Sequence, residues 1–428
     1  MNLGVFFRSS LVRSSLTYVI CDGINRAIPF LLLPFITHYL TPTDYGIVTN
    51  FNVYVQILAV FGYLCTAGAL PVMFNKLEKQ KIKSYVSNMI VLNTLVTILC
   101  GLVSLTASAW VEKSLGISTY FQLYAFIVVW FAGITNVNML LWRCEEKPLS
   151  FGVYQISQST LNALSTILFV IILLLGWQGR IYSMMLSTIV FGLVSLIILF
   201  RRGYIEFSIN KTYLRQTLFF ALPLVPHALS FWFKSGVDKV LLTNLCGLSE
   251  NGLYSVAMTW GAVVSIFLVS FNNAYAPYLY KNLAVIDKNR DETEWLQKKM
   301  VKLIWASIGG TFFLVLLSWF VSIGLIRVMY APSYYHSLEY LPWVMAGQFF
   351  YGGYLMFVCF IHYTFNTKML GLITFSLSLA QVGLTYLLIV WVGAVGAAVS
   401  SAIISLLTFV FVAWYAMRVY NLPWFSYR

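Results

Sequence analysis

Five ionisable residues stand inside stretches that are otherwise apolar: Asp22 and Arg26 in one, Lys234, Asp238 and Lys239 in another. An ionised group at the centre of a bilayer-spanning helix costs about 2.5–3.5 kcal/mol, so such residues face protein or water and need partners; function is the default reading. Asp22 and Arg26 are four apart, as are Lys234 and Asp238, which puts each pair on one helix face where it neutralises itself. Lys239 is left over, and the surplus positive charge, preceded by Phe231, Trp232 and Phe233, would be satisfied by an anionic ligand. The competing reading, that the pairs only fix helix packing, weighs more for Asp22 and Arg26 than for the second cluster. Pro29 and Pro34 accompany the first set, Pro223 and Pro226 the second; each removes a backbone donor and bends or breaks a helix.

The elements that must hold these charges follow from composition. Of 428 residues, 60% are hydrophobic and only 10% charged, and the mean hydropathy is +0.81. The solvent for most of this chain is a bilayer, and uninterrupted apolar runs of about 20 residues satisfy their backbone there only as helices, whereas a β-barrel would show short alternating segments. Runs that exclude charge predict an all-α polytopic membrane protein with 12 spans, near residues 16–37, 46–70, 85–109, 120–141, 151–175, 181–200, 217–245, 253–276, 303–326, 340–365, 370–391 and 396–416. Only Gly393 to Gly396 separates the last two, which leaves a count of 11 open. The charged spans are the first and the seventh, corresponding positions in two halves of six helices, 1–210 and 211–428, and paired interrupted segments point to a transporter's central site. Leu40 to Ile47 (LTPTDYGI) echoes Gly247 to Tyr254 (GLSENGLY), although the span charges do not keep that register.

The net charge is +13, and of 27 Lys and Arg residues 21 fall in segments that lie on one side if both termini are cytoplasmic. Arg8, Arg13, Lys79 and Arg428 are among them; Lys113, Arg180 and Arg327 fall on the other side, so the positive-inside rule fixes orientation and explains the charge without nucleic acid. The first apolar run is too long and too charged for a cleaved signal, and reads as the first span. Six cysteines without C-x-x-C spacing read as small apolar residues. No Walker loop, H-E-x-x-H or G-x-S-x-G occurs, and the longest connection, Pro277 to Lys302, holds no large catalytic domain. Any transport therefore draws on a gradient. Other polar span residues, Asn52, Gln56, Asn136, Asn138, Gln155, Gln158, Asn162, Asn272, Asn273, Gln348 and Gln381, suit either sugar hydroxyls or interhelical hydrogen bonds. His38, His227 and His362 read as structural.

The stretch Ile28 to Ile47, IPFLLLPFITHYLTPTDYGI, and the run Ala221 to Ala257, ALPLVPHALSFWFKSGVDKVLLTNLCGLSENGLYSVA, resemble the matching segments of the Wzx-type O-antigen and polysaccharide flippases of the multidrug/oligosaccharidyl-lipid/polysaccharide exporter superfamily. The resemblance covers most of the chain in length and span pattern and is specific at these two segments. It implies two MATE-like six-helix bundles around a central cavity, in a bacterial inner membrane. It further implies movement of an undecaprenyl-pyrophosphate-linked oligosaccharide from the cytoplasmic to the periplasmic face by alternating access, with a polysaccharide polymerase as a further partner. No cofactor is implied beyond coupling to an H⁺ or Na⁺ gradient. On that resemblance Arg26, Lys234 and Lys239 would bind the pyrophosphate, while Asp22 and Asp238 would orient those bases or exchange the coupling ion. The alternatives are an ion-coupled exporter of drugs or small molecules, disfavoured by three bases against two acids, and a polymerase or glycosyltransferase of the same pathway, which would usually carry a substantial external loop.

Overall fold

The computed structural model describes residues 10–206 and 209–425. Of the bases expected on the cytoplasmic side, Arg8 and Arg428 lie outside the described residues, as do the side chains of Arg13 and Lys79; the His227 side chain does too. The described chain forms 16 α-helices joined by short turns. Eleven are each long and apolar enough to cross a membrane, and a bent pair, Lys211–Leu224 with Ala228–Leu245 at 40°, brings the number to as many as 12. The protein is an all-α multi-pass membrane protein.

Contacts divide the chain into two compact units, Met1–Trp232 and Phe233–Arg428. The first unit holds α1 (Ser10–Thr37), α2 (Pro42–Tyr63), the short α3 (Ala69–Lys76), α4 (Lys79–Thr106), α5 (Ser108–Leu115), α6 (Thr119–Cys144), α7 (Pro148–Thr166), α8 (Gly176–Arg201) and α9 (Lys211–Ala221). In it α1 packs on α7, α6 on α8, and α2 on α4 and α6. Its boundary falls within α10 (Val225–Ser235). The second unit holds α11 (Val237–Leu245), α12 (Leu248–Lys288), α13 (Glu294–Met329), α14 (Leu341–Tyr363), α15 (Thr367–Val392) and α16 (Val395–Val419), with α14 and α15 both against α16 and α12 against α14.

The echo between Leu40–Ile47 and Gly247–Tyr254 marks two helix starts. Thr41 caps α2 in a capping box with Asp44 and Pro42 opens the first turn, whereas Gly247, at φ +100°, precedes α12. Close helix contacts use glycine in both units. A Cβ on Gly152 of α7 would meet Cys21 of α1 well inside contact distance, and one on Gly353 of α14 would lie 2.7 Å from the Phe409 ring of α16.

One open count closes and two expectations are corrected. The split at Gly393 is real, with α15 ending at Val392 and α16 starting at Val395, so the ambiguity in span number sits at the bent seventh segment instead. The expected connection from Pro277 to Lys302 is mostly helix: α12 runs 41 residues through Pro277 to Lys288, and α13 begins at Glu294. Beyond the apolar run the chain keeps its helix in water-compatible sequence, and Asp287 near the end of α12 accepts hydrogen bonds from Tyr363 (2.6 Å) and Tyr420 (2.7 Å). Finally, the sixth span begins at Gly176, not near 181, because Leu174 and Gly176 turn the chain at φ +52° and +58°. Arg180 therefore lies a turn inside a membrane-length helix, and span charge is not confined to the first and seventh segments.

Candidate functional site

The seventh segment is broken twice, near Pro223–Pro226 and again at Gly236, which caps α11. Glycine is costly inside a helix, and here α10 stops one residue before it and α11 starts one residue after. Lys234 and Asp238 consequently sit on different helices and make no ion pair; the expectation that they share a helix face and neutralise each other is overturned by this break.

Each of the three charges has a different surrounding. Asp238, in the first turn of α11 where the helix dipole favours a carboxylate, is only 2% exposed. Its Oδ1 accepts from the Lys239 backbone N–H at 2.9 Å and its Oδ2 from the hydroxyl of the fully buried Tyr254 on α12. The Tyr254 hydroxyl lies near Ser401 on α16, and its ring meets Tyr340 edge-on at 5.8 Å. Gln381 of α15 extends this layer by donating to Ser401 Oγ (3.3 Å) and to the Lys234 carbonyl (3.2 Å), while its Oε1 has no hydrogen-bond partner. The Lys234 ammonium lies 5.9 Å over the Tyr351 ring of α14, and neither it nor Lys239 forms an ion pair.

In the first unit Asp22 is half-buried and Arg26 exposed on α1, and they form no ion pair with each other. Nearby, Ser159 of α7 donates to Asn25, joining α1 to α7. Below that junction lies a cavity of about 230 Å³ between α1, α7 and α8, lined by Gln158, Ser159, Asn162, Arg180, Ser187 and Thr188 together with apolar side chains of α1. Arg26 does not line it. Arg180 Nη1 donates to Asn162 Oδ1 at 2.7 Å and to Thr166 Oγ1 at 2.9 Å, and Asn162 in turn donates to Ser187 at 3.0 Å.

The structure thus places the Asp238 carboxylate in a polar layer of the second unit that Lys234 and Lys239 join through their backbones, with the Lys234 ammonium over Tyr351, and it leaves Asp22 and Arg26 without a bond to each other. Several polar span residues serve interhelical bonds, as Asn138 does with Ser195 (3.2 Å) and Asn272 with Cys359 (3.4 Å). Sequence reasoning missed Arg180, whose signal was a lone base directly abutting the apolar run 181–200, and it missed the partners Tyr254 and Ser401, which carry no charge to attract notice.

The sequence matches the polysaccharide biosynthesis protein family over residues 11–283. It is 25% identical over 282 residues to the Lsg locus putative protein 1 of Haemophilus influenzae, covering 63% of this chain and 66% of that protein. It is 24% identical over 278 residues to an uncharacterized membrane protein of the same organism, covering 64% and 66%. Each match therefore spans just under two thirds of the relative. Among solved structures, an inward-facing multidrug resistance MATE family transporter of the MOP superfamily superposes with a TM-score of 0.68 at 16% identity, over 94% of this chain and 98% of that one. The lipid II flippase MurJ in an inward closed conformation gives 0.68 at 14% identity over 94% and 87%. At these identities the likeness is one of fold, which is MATE-like.

Proposed function

The chain belongs to the polysaccharide biosynthesis protein family, and from that premise we propose that it is a flippase carrying an undecaprenyl-pyrophosphate-linked oligosaccharide, such as an O-antigen repeat unit, from the cytoplasmic to the periplasmic face of a bacterial inner membrane by alternating access. The observation that carries the reading is the broken seventh segment, where two lysines within a membrane-length stretch make no ion pair. Ammonium groups in such a place favour an anion, and a pyrophosphate is the anion that a lipid-linked sugar carries. Discontinuous helices also expose backbone groups that ligands use in transporters. Arg26, exposed on α1, is the third base assigned to the headgroup.

Asp238 is assigned to ion coupling, with Asp22 as the acid of the first unit. Asp238 sits in a layer with Tyr254, Ser401 and Gln381, whose Oε1 is free to accept from a proton carrier or ligate a cation. The chemistry is transport, with no bond made or broken. Both termini are assigned to the cytoplasm, and a polymerase that receives the flipped unit is the expected partner.

Proteoliposomes holding the unmodified protein should translocate a fluorescent undecaprenyl-pyrophosphate oligosaccharide, and Lys234→Ala with Lys239→Ala should reduce the rate at least tenfold while inserting normally. Unimpaired translocation by that double variant would remove the lysines from the headgroup site. No translocation by the unmodified protein, together with efflux of a cationic dye, would replace the flippase by a small-molecule exporter.

A further inference from the structure

Arg180 does not belong to the headgroup reading and has an environment of its own. Its guanidinium is tethered through Nη1 alone, to a neutral amide and a neutral hydroxyl, and its Nη2 and Nε make no hydrogen bond. No carboxylate pairs with it. A base held a turn inside a membrane-length helix is costly unless something offsets its charge. Structural use alone would leave it paired, as Arg202 is with Glu145 in the same unit.

The space beside it is specific as well. The cavity measures about 230 Å³, below the roughly 300–1,000 Å³ of sites for drug-sized ligands, so about one sugar ring fits inside it. Gln158, Ser159, Ser187 and Thr188 offer amides and hydroxyls suited to sugar hydroxyls, and Pro29 and Met184 offer apolar surface for the C–H face of a ring. The remaining guanidinium donors form a planar fork that matches a carboxylate or a phosphate through two parallel hydrogen bonds.

We infer that the first unit contains a second anion site, in which Arg180 binds the carboxylate or phosphate borne by a single sugar ring seated among α1, α7 and α8. The site is separate from the bases of the seventh segment and stands whether or not the chain is a flippase, because its test is equilibrium binding and not translocation. A ring with an acidic group enters; a neutral ring of the same size leaves the guanidinium uncompensated and binds less tightly; a cation is repelled.

The test is calorimetric titration of the full chain in lipid nanodiscs with glucuronate, glucose 1-phosphate, glucose and inorganic phosphate. Glucuronate or glucose 1-phosphate should bind at least tenfold more tightly than glucose, and whichever does so identifies the acidic group. Arg180→Gln should abolish that preference, and Arg180→Lys should restore part of it. Thr188→Leu, which fills the cavity without touching the guanidinium's hydrogen bonds, should weaken both acidic sugars at least tenfold and serves if Arg180→Gln does not fold. Equal binding of glucose and the acidic sugars would overturn the inference. So would binding unaffected by Arg180→Gln or Thr188→Leu, or inorganic phosphate binding as tightly as glucose 1-phosphate, which would mean that no ring is recognised.

Discussion

The two units handle buried charge in opposite ways. In the second, Asp238 is enclosed, and its carboxylate is bonded to Tyr254 and to the backbone of Lys239 within a layer that continues through Ser401 and Gln381. In the first, Arg180 stands beside open space with two neutral acceptors and several donors to spare. An enclosed group that accepts its neighbours' hydrogen bonds contributes to the stability of the fold whatever else it does, because removing it takes an acceptor from buried donors. A group facing a cavity is tied to what enters, since water takes over its neighbours when it is removed.

The largest expected effect tests this contrast directly. Asp238→Leu removes the carboxylate to which the buried Tyr254 hydroxyl donates and leaves Lys239 without its adjacent acid, which should lower stability by about 3 kcal/mol, whereas Arg180→Met should cost about 1 kcal/mol or less. Reversible unfolding in bicelles measures both, and similar losses would break the comparison. A smaller effect sharpens it by holding polarity aside. Gly152→Ala in the first unit and Gly353→Ala in the second each force a Cβ into a neighbouring helix's side chain, for about 1–3 kcal/mol apiece. Comparable losses in the two would show that the units are packed alike and differ in their polar interiors; a loss in one only would place the difference in packing.

The smallest effect concerns charge that is fully in water. His336, in the turn before α14, is bonded to Glu339 at 3.0 Å, and that carboxylate raises its pKa above the ordinary 6.5. A raised folded pKa adds stability that is fully present below about 6.5 and disappears as pH climbs through the raised value. The difference in unfolding midpoint between the unmodified protein and His336→Gln should therefore be greatest in mild acid and vanish in mild alkali. A difference independent of pH would assign His336 a packing role.

Most of the fold was legible because a bilayer leaves a chain so little choice. Long charge-free runs had to be helices, and their order placed the first and seventh segments before any coordinate did. Helix ends were less legible: Pro277 reads as a stop in sequence, yet α12 passes through it, and Gly236 reads as one small residue among many, yet it separates α10 from α11 and parts Lys234 from Asp238. The site was legible to the extent that it was charged. Asp238 and Lys239 announced themselves and Gln381 stood out as a polar span residue, but Tyr254 and Ser401 come beside Asp238 only through distances between helices far apart in sequence. Arg180 was visible and misassigned, because a boundary drawn five residues late moved it from a helix to a loop.

Helices α12 and α13, at 41 and 36 residues, measure roughly 60 and 54 Å at about 1.5 Å per residue, nearly twice the hydrocarbon thickness of about 30 Å. Their joined ends form an arm braced by Asp287 against Tyr363 and Tyr420. Leverage follows from that length: a tilt of about 10° within the bilayer displaces a tip about 30 Å away by roughly 5 Å, so the outer end of the arm works as a pointer that magnifies small rotations of the second unit into distances a pair of fluorescent labels would resolve.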